Sequence, residues 1–171
     1  MPASTIRERV IEKLEAAGVP YRLILHEPAV GSLRIAEKRG MPASAGAKAL
    51  VVRAAGRFLL LVIPGNRRLS SVKLRRVLGT HDIRFARAAE LFNLTGCRPG
   101  EVPPLGELFG LAVIMDDRLT RETELAFTAG STSESFAVRS QDLVTLARPQ
   151  IADLCDEADA DDAEGRQSAS S

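Results

Sequence analysis

Two apolar runs flank a glycine-containing turn in the stretch Ala47-Lys48-Ala49-Leu50-Val51-Val52-Arg53-Ala54-Ala55-Gly56-Arg57-Phe58-Leu59-Leu60-Leu61-Val62-Ile63. Apolar residues fill 49–52 and 58–63, which favours β-strands over 47–53 and 58–63. The four residues between them, 54–57, form a predicted turn, because glycine permits a positive φ. The stretch therefore predicts a β-hairpin in the first half of the chain.

Short helices and short strands surround this hairpin. A capping box of Thr5 and Glu8, followed by apolar residues at helical spacing, predicts a first helix that ends at Gly18. Because the order of elements lacks regular βαβ alternation, we predict an α+β fold in a single domain rather than a doubly wound sheet. The further predicted helices are 32–39, 70–78, 88–94 and 141–146, and the further strands are 21–26, 83–86, 111–115, 124–128 and 136–138.

The chain has 171 residues, enough for one ordinary domain. Its formal net charge of +1 is the sum of two oppositely charged segments. Residues 151–171 carry seven acids and one arginine (−6), whereas residues 1–150 carry 22 bases and 15 acids (+7). We therefore predict a folded domain over 1–150 and an acidic, disordered tail over 151–171. The basic stretch around Arg67, Arg68 and Lys73 is either a solvated helix face or a contact for RNA phosphates.

Several classes of protein are disfavoured. No apolar run approaches the ~20 residues that span a bilayer, and the N-terminus lacks an apolar signal region. The two cysteines, Cys97 and Cys155, have no nearby partner in sequence, so neither a disulfide scaffold nor a zinc site is expected. These features predict a cytoplasmic protein.

Residues that could carry chemistry are few. Lys48 starts an apolar strand, where it is either a solvated strand end or a cation that stabilises negative charge in a cleft. The loop 95–106 holds three glycines and three prolines; it is either a stiff loop whose bare amides suit an oxyanion or a tight connection. The loop 129–133 allows the same two interpretations, with a plain turn preferred. His26 ends a strand and is more often structural than a base, and Cys97 has no histidine near it in sequence.

Four stretches carry a resemblance to a known family. They are 46–51, 63–69, 95–106 and 129–131, in an order and spacing that cover most of the chain from about Ile6 to Leu146. Together they resemble the YbaK/ProX family of aminoacyl-tRNA deacylases, which is related to the editing domain inserted in bacterial prolyl-tRNA synthetases. The resemblance implies a mixed, curved, barrel-like sheet partly wrapped by short helices.

The resemblance also implies an activity. The expected reaction is hydrolysis, without metal or cofactor, of the ester between a mischarged amino acid and the 3′ end of tRNA, aided by the substrate's own groups. The predicted substrate is a small amino acid such as Ala or Cys on tRNA for Pro. The expected partners are aminoacyl-tRNA and a prolyl-tRNA synthetase, with no DNA and no membrane.

The resemblance further assigns roles to residues. Lys48 matches the functional lysine of the family and is the expected catalytic residue. Substrate binding is expected of the glycine loops and their surroundings, namely Gly100, Thr128, Gly130, Ser131, Ser135, Ser32 and His26.

Departures from the family pattern keep a second interpretation open. Ser135 stands where some members carry aspartate, and segment 28–33 lacks the threonine-plus-acidic pattern of many members. The alternative is a non-catalytic module that retains the pocket and binds tRNA, an aminoacyl-adenylate analogue or a synthetase. Convergence of Lys48, Gly100 and Gly130 on one cleft is the expectation of the enzyme hypothesis.

Overall fold

A computed structural model describes residues 2–29 and 31–159. Within them, five helices and ten strands alternate irregularly, which confirms the predicted α+β class in one domain. The helices are α1 (Ile6–Ala16), α2 (Ser32–Arg39), α3 (Ser71–Leu78), α4 (Ala88–Thr95) and α5 (Ser140–Ala147). The strands are β1 (Tyr21–Leu25), β2 (Ala47–Ala54), β3 (Arg57–Pro64), β4 (Arg67–Leu69), β5 (Ile83–Phe85), β6 (Val113–Asp116), β7 (Glu124–Thr128), β8 (Glu134–Arg139), β9 (Gln150–Ala152) and β10 (Cys155–Asp159).

The predicted hairpin is present as β2 and β3, which pair antiparallel from Ala47–Pro64 to Ala54–Arg57. The turn is tighter than predicted, since only Ala55 and Gly56 lie between the strands. Both have positive φ, 48° and 83°, as the right-handed twist of a two-residue hairpin requires. The hairpin is the centre of a five-stranded mixed sheet in the order β5-β2-β3-β6-β9, in which β3, β6 and β9 run parallel.

A second, antiparallel sheet in the order β1-β8-β7 packs against the first, and β4 pairs with β10. A single bridge between Gly46 and Ala126 joins the start of β2 to β7. The expected barrel-like sheet is not seen in the described residues, where three open sheets replace it. Beyond that one bridge β2 and β7 do not pair, so no continuous ladder closes the two larger sheets on each other.

Both faces of the hairpin are buried, because successive side chains of a strand point to opposite sides. Val51, Leu60 and Val62 belong to the larger core cluster with α1, β7 and β8, where the rings of Phe127 and Phe136 stack at 5.4 Å. Val52, Leu61 and Ile63 belong to a second cluster beneath α3. Because β3 is covered on both faces, nearly all of its side chains are apolar.

The predicted domain boundary at residue 150 is wrong, because β9 and β10 belong to the fold. Leu154 and Cys155, each 0% exposed, complete the second core cluster, and β10 pairs with β4. The acids that suggested disorder are paired in part: Lys73 lies 2.9 Å from Asp153 and 3.2 Å from Glu157. The rest of the predicted tail, 160–171, lies outside the described residues.

Candidate active site

One cavity of about 320 Å³ opens where the two larger sheets meet. Its wall is built by α2, by the residues that begin β2, by the loop 99–102 and by β7. None of the described residues that line it is an aspartate, glutamate, histidine or cysteine, whereas two are basic, Arg39 and Lys48. The described lining residues are Ala29, Gly31, Ser32, Ile35, Arg39, Gly46, Ala47, Lys48, Ala49, Leu50, Gly65, Pro99, Gly100, Val102, Ala126, Thr128 and Thr132.

Lys48 is the exposed second residue of β2, between the buried Ala47 and the half-buried Ala49. The other three lysines of the chain form ion pairs: Lys13 with Glu107, Lys38 with Glu27 and Lys73 with Asp153. Lys48 has no hydrogen bond or ion pair with any residue of 2–29 or 31–159. Its ammonium is therefore available to a ligand at the cavity.

Gly100 presents backbone to the same cavity. Its φ of +85° belongs to the left-handed region, and a Cβ placed on it meets nothing within 4 Å. The hydroxyl of Thr128 on β7 donates to the Gly100 carbonyl at 2.6 Å. The Gly100 N–H finds no acceptor within the part of the chain that the structure describes. Two residues that carry an unpaired donor in the described part of the chain, Gly100 with its amide and Lys48 with its ammonium, thus line one cavity, an arrangement suited to an oxyanion.

Arg39 is the last residue of α2 and is only 8% exposed. Its Nε donates to the hydroxyl of the fully buried Ser135 on β8 at 2.9 Å. Burial lowers the pKa of Arg39 to about 10, so the guanidinium keeps its charge at neutral pH. On the far side of Ser135, its Oγ lies 2.8 Å from Nε2 of His26.

The expected site residues divide into three groups. Lys48, Gly100, Thr128 and Ser32 line the cavity together. Ser135 and His26 lie behind it and reach it through Arg39. The third group, Gly130 and Ser131, was expected to converge with them and does not.

Gly130 and Ser131 line a neighbouring depression against the start of α1. The Gly130 N–H donates to the Glu101 carbonyl at 2.7 Å. Gly130 has a φ of +75°, and a Cβ placed on it would lie 3.2 Å from the Cβ of Ile6. The predicted convergence of Lys48, Gly100 and Gly130 is therefore right for the first two only.

Sequence reasoning missed Arg39. A basic residue in the last turn of a helix is ordinarily explained by the helix dipole, so nothing local marked it as buried. Gly65 was not singled out either, although a Cβ there would lie 2.9 Å from the Ala43 carbonyl oxygen and 3.2 Å from Ser32 Cβ. The only signal for Gly65 was its place in the second stretch that resembles the family.

Other candidate groups are occupied or buried. Cys97 is 0% exposed, burial raises the pKa of its thiol, and it does not line the cavity, so it is no nucleophile. Lys73 is held by the C-terminal acids, which removes it from the set of free RNA contacts. Asp116, Asp117 and Asp153 are close enough to hold a cation, but Arg118 already lies 3.2 Å from Asp116 and 3.0 Å from Asp153.

No helix of the described residues has the length and apolar character to cross a membrane.

Comparison with known proteins identifies the class. Residues 26–146 match the aminoacyl-tRNA editing domain family. The Multifunctional Ser/Thr-tRNA deacylase ProXp-y of Escherichia coli strain K12 is 30% identical over 154 residues, which cover 86% of this chain and 92% of that protein. The fold, the cavity and these matches define an aminoacyl-tRNA deacylase. The chain belongs to the aminoacyl-tRNA editing domain family, as the YbaK/ProX resemblance predicted.

Two further comparisons agree. A proline–tRNA ligase of Trichlorobacter lovleyi is 29% identical over 142 residues, which cover 77% of this chain and 25% of the ligase. The chain therefore corresponds to one segment of that larger enzyme. A solved structure described as a candidate trans-editing enzyme for prolyl-tRNA synthetase superposes with a TM-score of 0.78 at 26% identity, over 91% of this chain and 99% of the other.

Proposed function

We propose that this protein removes a small amino acid from the 3′ end of tRNA in trans, with the ester held at the cavity mouth between Lys48 and Gly100. The observation that carries the proposal is that an ammonium and an amide, both without a partner in the described residues, face one cavity. Because both residues are exposed, the ester can reach them while the RNA stays outside.

The chemistry needs no protein nucleophile. Water attacks the carbonyl carbon, the bond to the ribose oxygen breaks, and a proton from the water passes to that oxygen. The products are the free amino acid and tRNA with its 3′-hydroxyl restored. Lys48 and the Gly100 N–H stabilise the tetrahedral oxyanion, and the neighbouring ribose hydroxyl of the substrate orients the water. The lack of an acid, imidazole or thiol in the described cavity wall favours this substrate-assisted route over a protein base.

The identity of the amino acid remains a matter of proposal. Ala or Cys on tRNA for Pro is the prediction from the resemblance, while the E. coli relative is named for Ser and Thr. Ser32, Thr128 and Thr132 give the cavity wall hydroxyl groups, which suit a small polar side chain as well as a small apolar one. The similarity to a segment of a proline–tRNA ligase supports prolyl-tRNA synthetase as a partner.

A binding module without turnover is the second candidate. The same absence of a base from the described cavity wall favours it, because a cavity that binds an aminoacyl group needs no base. It predicts that the protein binds aminoacyl-tRNA and leaves the ester intact.

The deciding experiment measures deacylation of tRNA charged with Ala, Cys, Ser, Thr and Pro, under single-turnover conditions, with the uncatalysed rate subtracted. Hydrolysis of at least one non-prolyl ester, lost in Lys48→Ala, supports the enzyme. Binding of these tRNAs with no hydrolysis across the panel rejects it in favour of the binding module.

A further inference from the structure

Arg39 lines the same cavity as Lys48 and Gly100 but differs from them in burial. It is 8% exposed, whereas Lys48 and Gly100 are both exposed. A Cβ placed on Gly46 would lie 3.4 Å from Nη1 of Arg39, so the guanidinium lies along backbone that a larger residue would crowd. The cavity therefore carries one cation at its mouth and a second in its depth.

No carboxylate among the described residues pairs with Arg39. Its one recorded hydrogen bond uses Nε and the Ser135 hydroxyl, which leaves both Nη groups without a protein acceptor in residues 2–29 and 31–159. A buried guanidinium without a counter-charge is unfavourable, because burial removes its hydration. A ligand that brings an oxygen acceptor to the Nη groups relieves that cost.

A hydrogen-bonded chain fixes the guanidinium from behind. Nδ1 of His26 lies 3.0 Å from the carbonyl oxygen of Glu27, so in the neutral imidazole Nδ1 carries the proton and Nε2 accepts. The Ser135 hydroxyl then donates to His26 Nε2 and accepts from Arg39 Nε. Ser135 and His26, which were expected to bind the substrate, do not line the cavity and hold Arg39 from behind.

We propose that Arg39 determines specificity by donating hydrogen bonds to an oxygen acceptor on the side chain of the amino acid that is removed. The inference rests on the proposed function. With the ester at the mouth and the RNA outside, the part of the substrate that extends inward is the amino-acid side chain. A cavity of about 320 Å³ has room for that side chain but not for the folded RNA.

The proposal ranks substrates. A seryl ester offers an acceptor that an alanyl ester of nearly equal size lacks, and a hydrogen bond to a charged donor discriminates by roughly tenfold to a hundredfold. An aspartyl ester offers a carboxylate, which pairs bidentately with a guanidinium. Seryl or aspartyl esters are thus preferred over alanyl and cysteinyl esters, in contrast to the preference expected from the resemblance.

The test uses one tRNA charged chemically with Ser, Asp, Ala or Cys, and the matching non-hydrolysable 3′-aminoacylamino-adenosines for calorimetry. For the parent protein, we expect the deacylation rate and the analogue affinity for Ser or Asp to exceed those for Ala by roughly tenfold or more. In Arg39→Met the ratio of the Ser or Asp rate to the Ala rate should fall to about one. In Ser135→Asp a carboxylate beside Nε engages the guanidinium, and the same loss of preference is expected with Arg39 still present.

The outcomes separate this inference from the proposed function. Analogue binding that discriminates through Arg39 without any hydrolysis supports the inference and rejects the enzyme. Hydrolysis with no preference for Ser or Asp over Ala rejects the inference alone. An equal loss for all four amino acids in Arg39→Met also rejects it, because Arg39 then acts on a part that all substrates share. Thermal unfolding of each variant identifies any that fails to fold. If Arg39→Met does not fold, the substrate preference of Ser135→Asp tests the inference in its place.

Discussion

The hydroxyl of Thr128 donates to the carbonyl of Gly100 at 2.6 Å, which ties the last residue of β7 to the loop across the cavity. The next carbonyl of that loop, from Glu101, accepts from the Gly130 N–H at 2.7 Å. Two successive carbonyls of the loop are therefore held by one strand end. The amide of Gly100 is left facing the cavity as a fixed donor, which a flexible loop would not provide.

Gly100→Ala should lower the deacylation rate by roughly a hundredfold, because a small displacement of a fixed donor is enough to misplace the ester. Gly79→Ala is the matched control: Gly79 ends α3 with φ +67°, has no atom within 4 Å of an added Cβ, and lines no part of the cavity. Both variants should lose roughly 1–2 kcal/mol of unfolding free energy to the left-handed backbone. Urea unfolding and single-turnover rates check this, and equal activity in the two variants would contradict the role of Gly100.

Lys48→Ala should reduce deacylation by roughly a hundredfold or more, since the loss of one donor to an oxyanion has an effect of that order. The melting temperature should not change, because Lys48 is exposed and makes no bond within the described residues. Lys13→Ala removes the same charge from α1, where Lys13 pairs with Glu107 at 2.6 Å, and should retain activity. A Lys48→Ala enzyme that hydrolyses at the parental rate would show that the ammonium plays no part in the reaction.

Leu154→Ala should destabilise the fold by about 2–5 kcal/mol, because Leu154 is 0% exposed in the second core cluster. Ile151→Ala in the adjacent strand is the control: Ile151 is 42% exposed, and a change of about 0.5 kcal/mol or less is expected. Chemical denaturation of both variants measures the difference. If Leu154→Ala were as stable as the parent, residues 153–155 would not belong to the folded unit.

The ion pairs of Lys73 should make part of the stability depend on pH. Hydrogen bonds from Lys73 hold the pKa values of Asp153 and Glu157 below their ordinary range. A carboxylate whose folded pKa is depressed stabilises the fold above its unfolded pKa, roughly 4, and loses that effect as the pH falls through the folded pKa.

The comparison is between the parent and Lys73→Met. Their melting temperatures should differ by a constant amount above about pH 5, and the difference should shrink below about pH 4. It should also shrink with added salt, since Asp153 and Glu157 are largely exposed. A difference that stays constant down to pH 2 would contradict the assignment of these ion pairs.

Local patterns predicted all five helices and seven of the ten strands in the described residues; they missed β4, β9 and β10. The capping box of Thr5 and Glu8 begins α1, and the two apolar runs form β2 and β3. Lys48 at the start of an apolar strand and the glycine- and proline-rich loop 95–106 stood out locally, but only the resemblance to a known family singled out Gly100 and favoured a function for Lys48. Each of these patterns is contained in a short segment, because local hydrogen bonding and side-chain periodicity link residues that are close in sequence.

Burial of single polar residues could not be predicted in the same way. In the sequence, Arg39 is an ordinary basic residue at a helix end. Its burial depends on contact with Ser135, which is 96 positions further along the chain. Gly130 belongs to a glycine loop like that of Gly100, but α1 occupies the space beside it. Leu154 and Cys155 lie in an acidic segment, and only the open face of the β2–β3 hairpin makes them core residues.

The amino-acid sequence by itself determined the α+β class and the central hairpin, and its resemblance to a known family singled out Lys48 and Gly100, which line one cavity. The tertiary structure alone decided that Arg39 is buried beside the cavity, that Gly130 does not line it, and that the chain continues as strands to Asp159. The physical reason is that backbone conformation follows from neighbours in sequence. Desolvation of a charge or an apolar side chain depends on which distant elements pack against it.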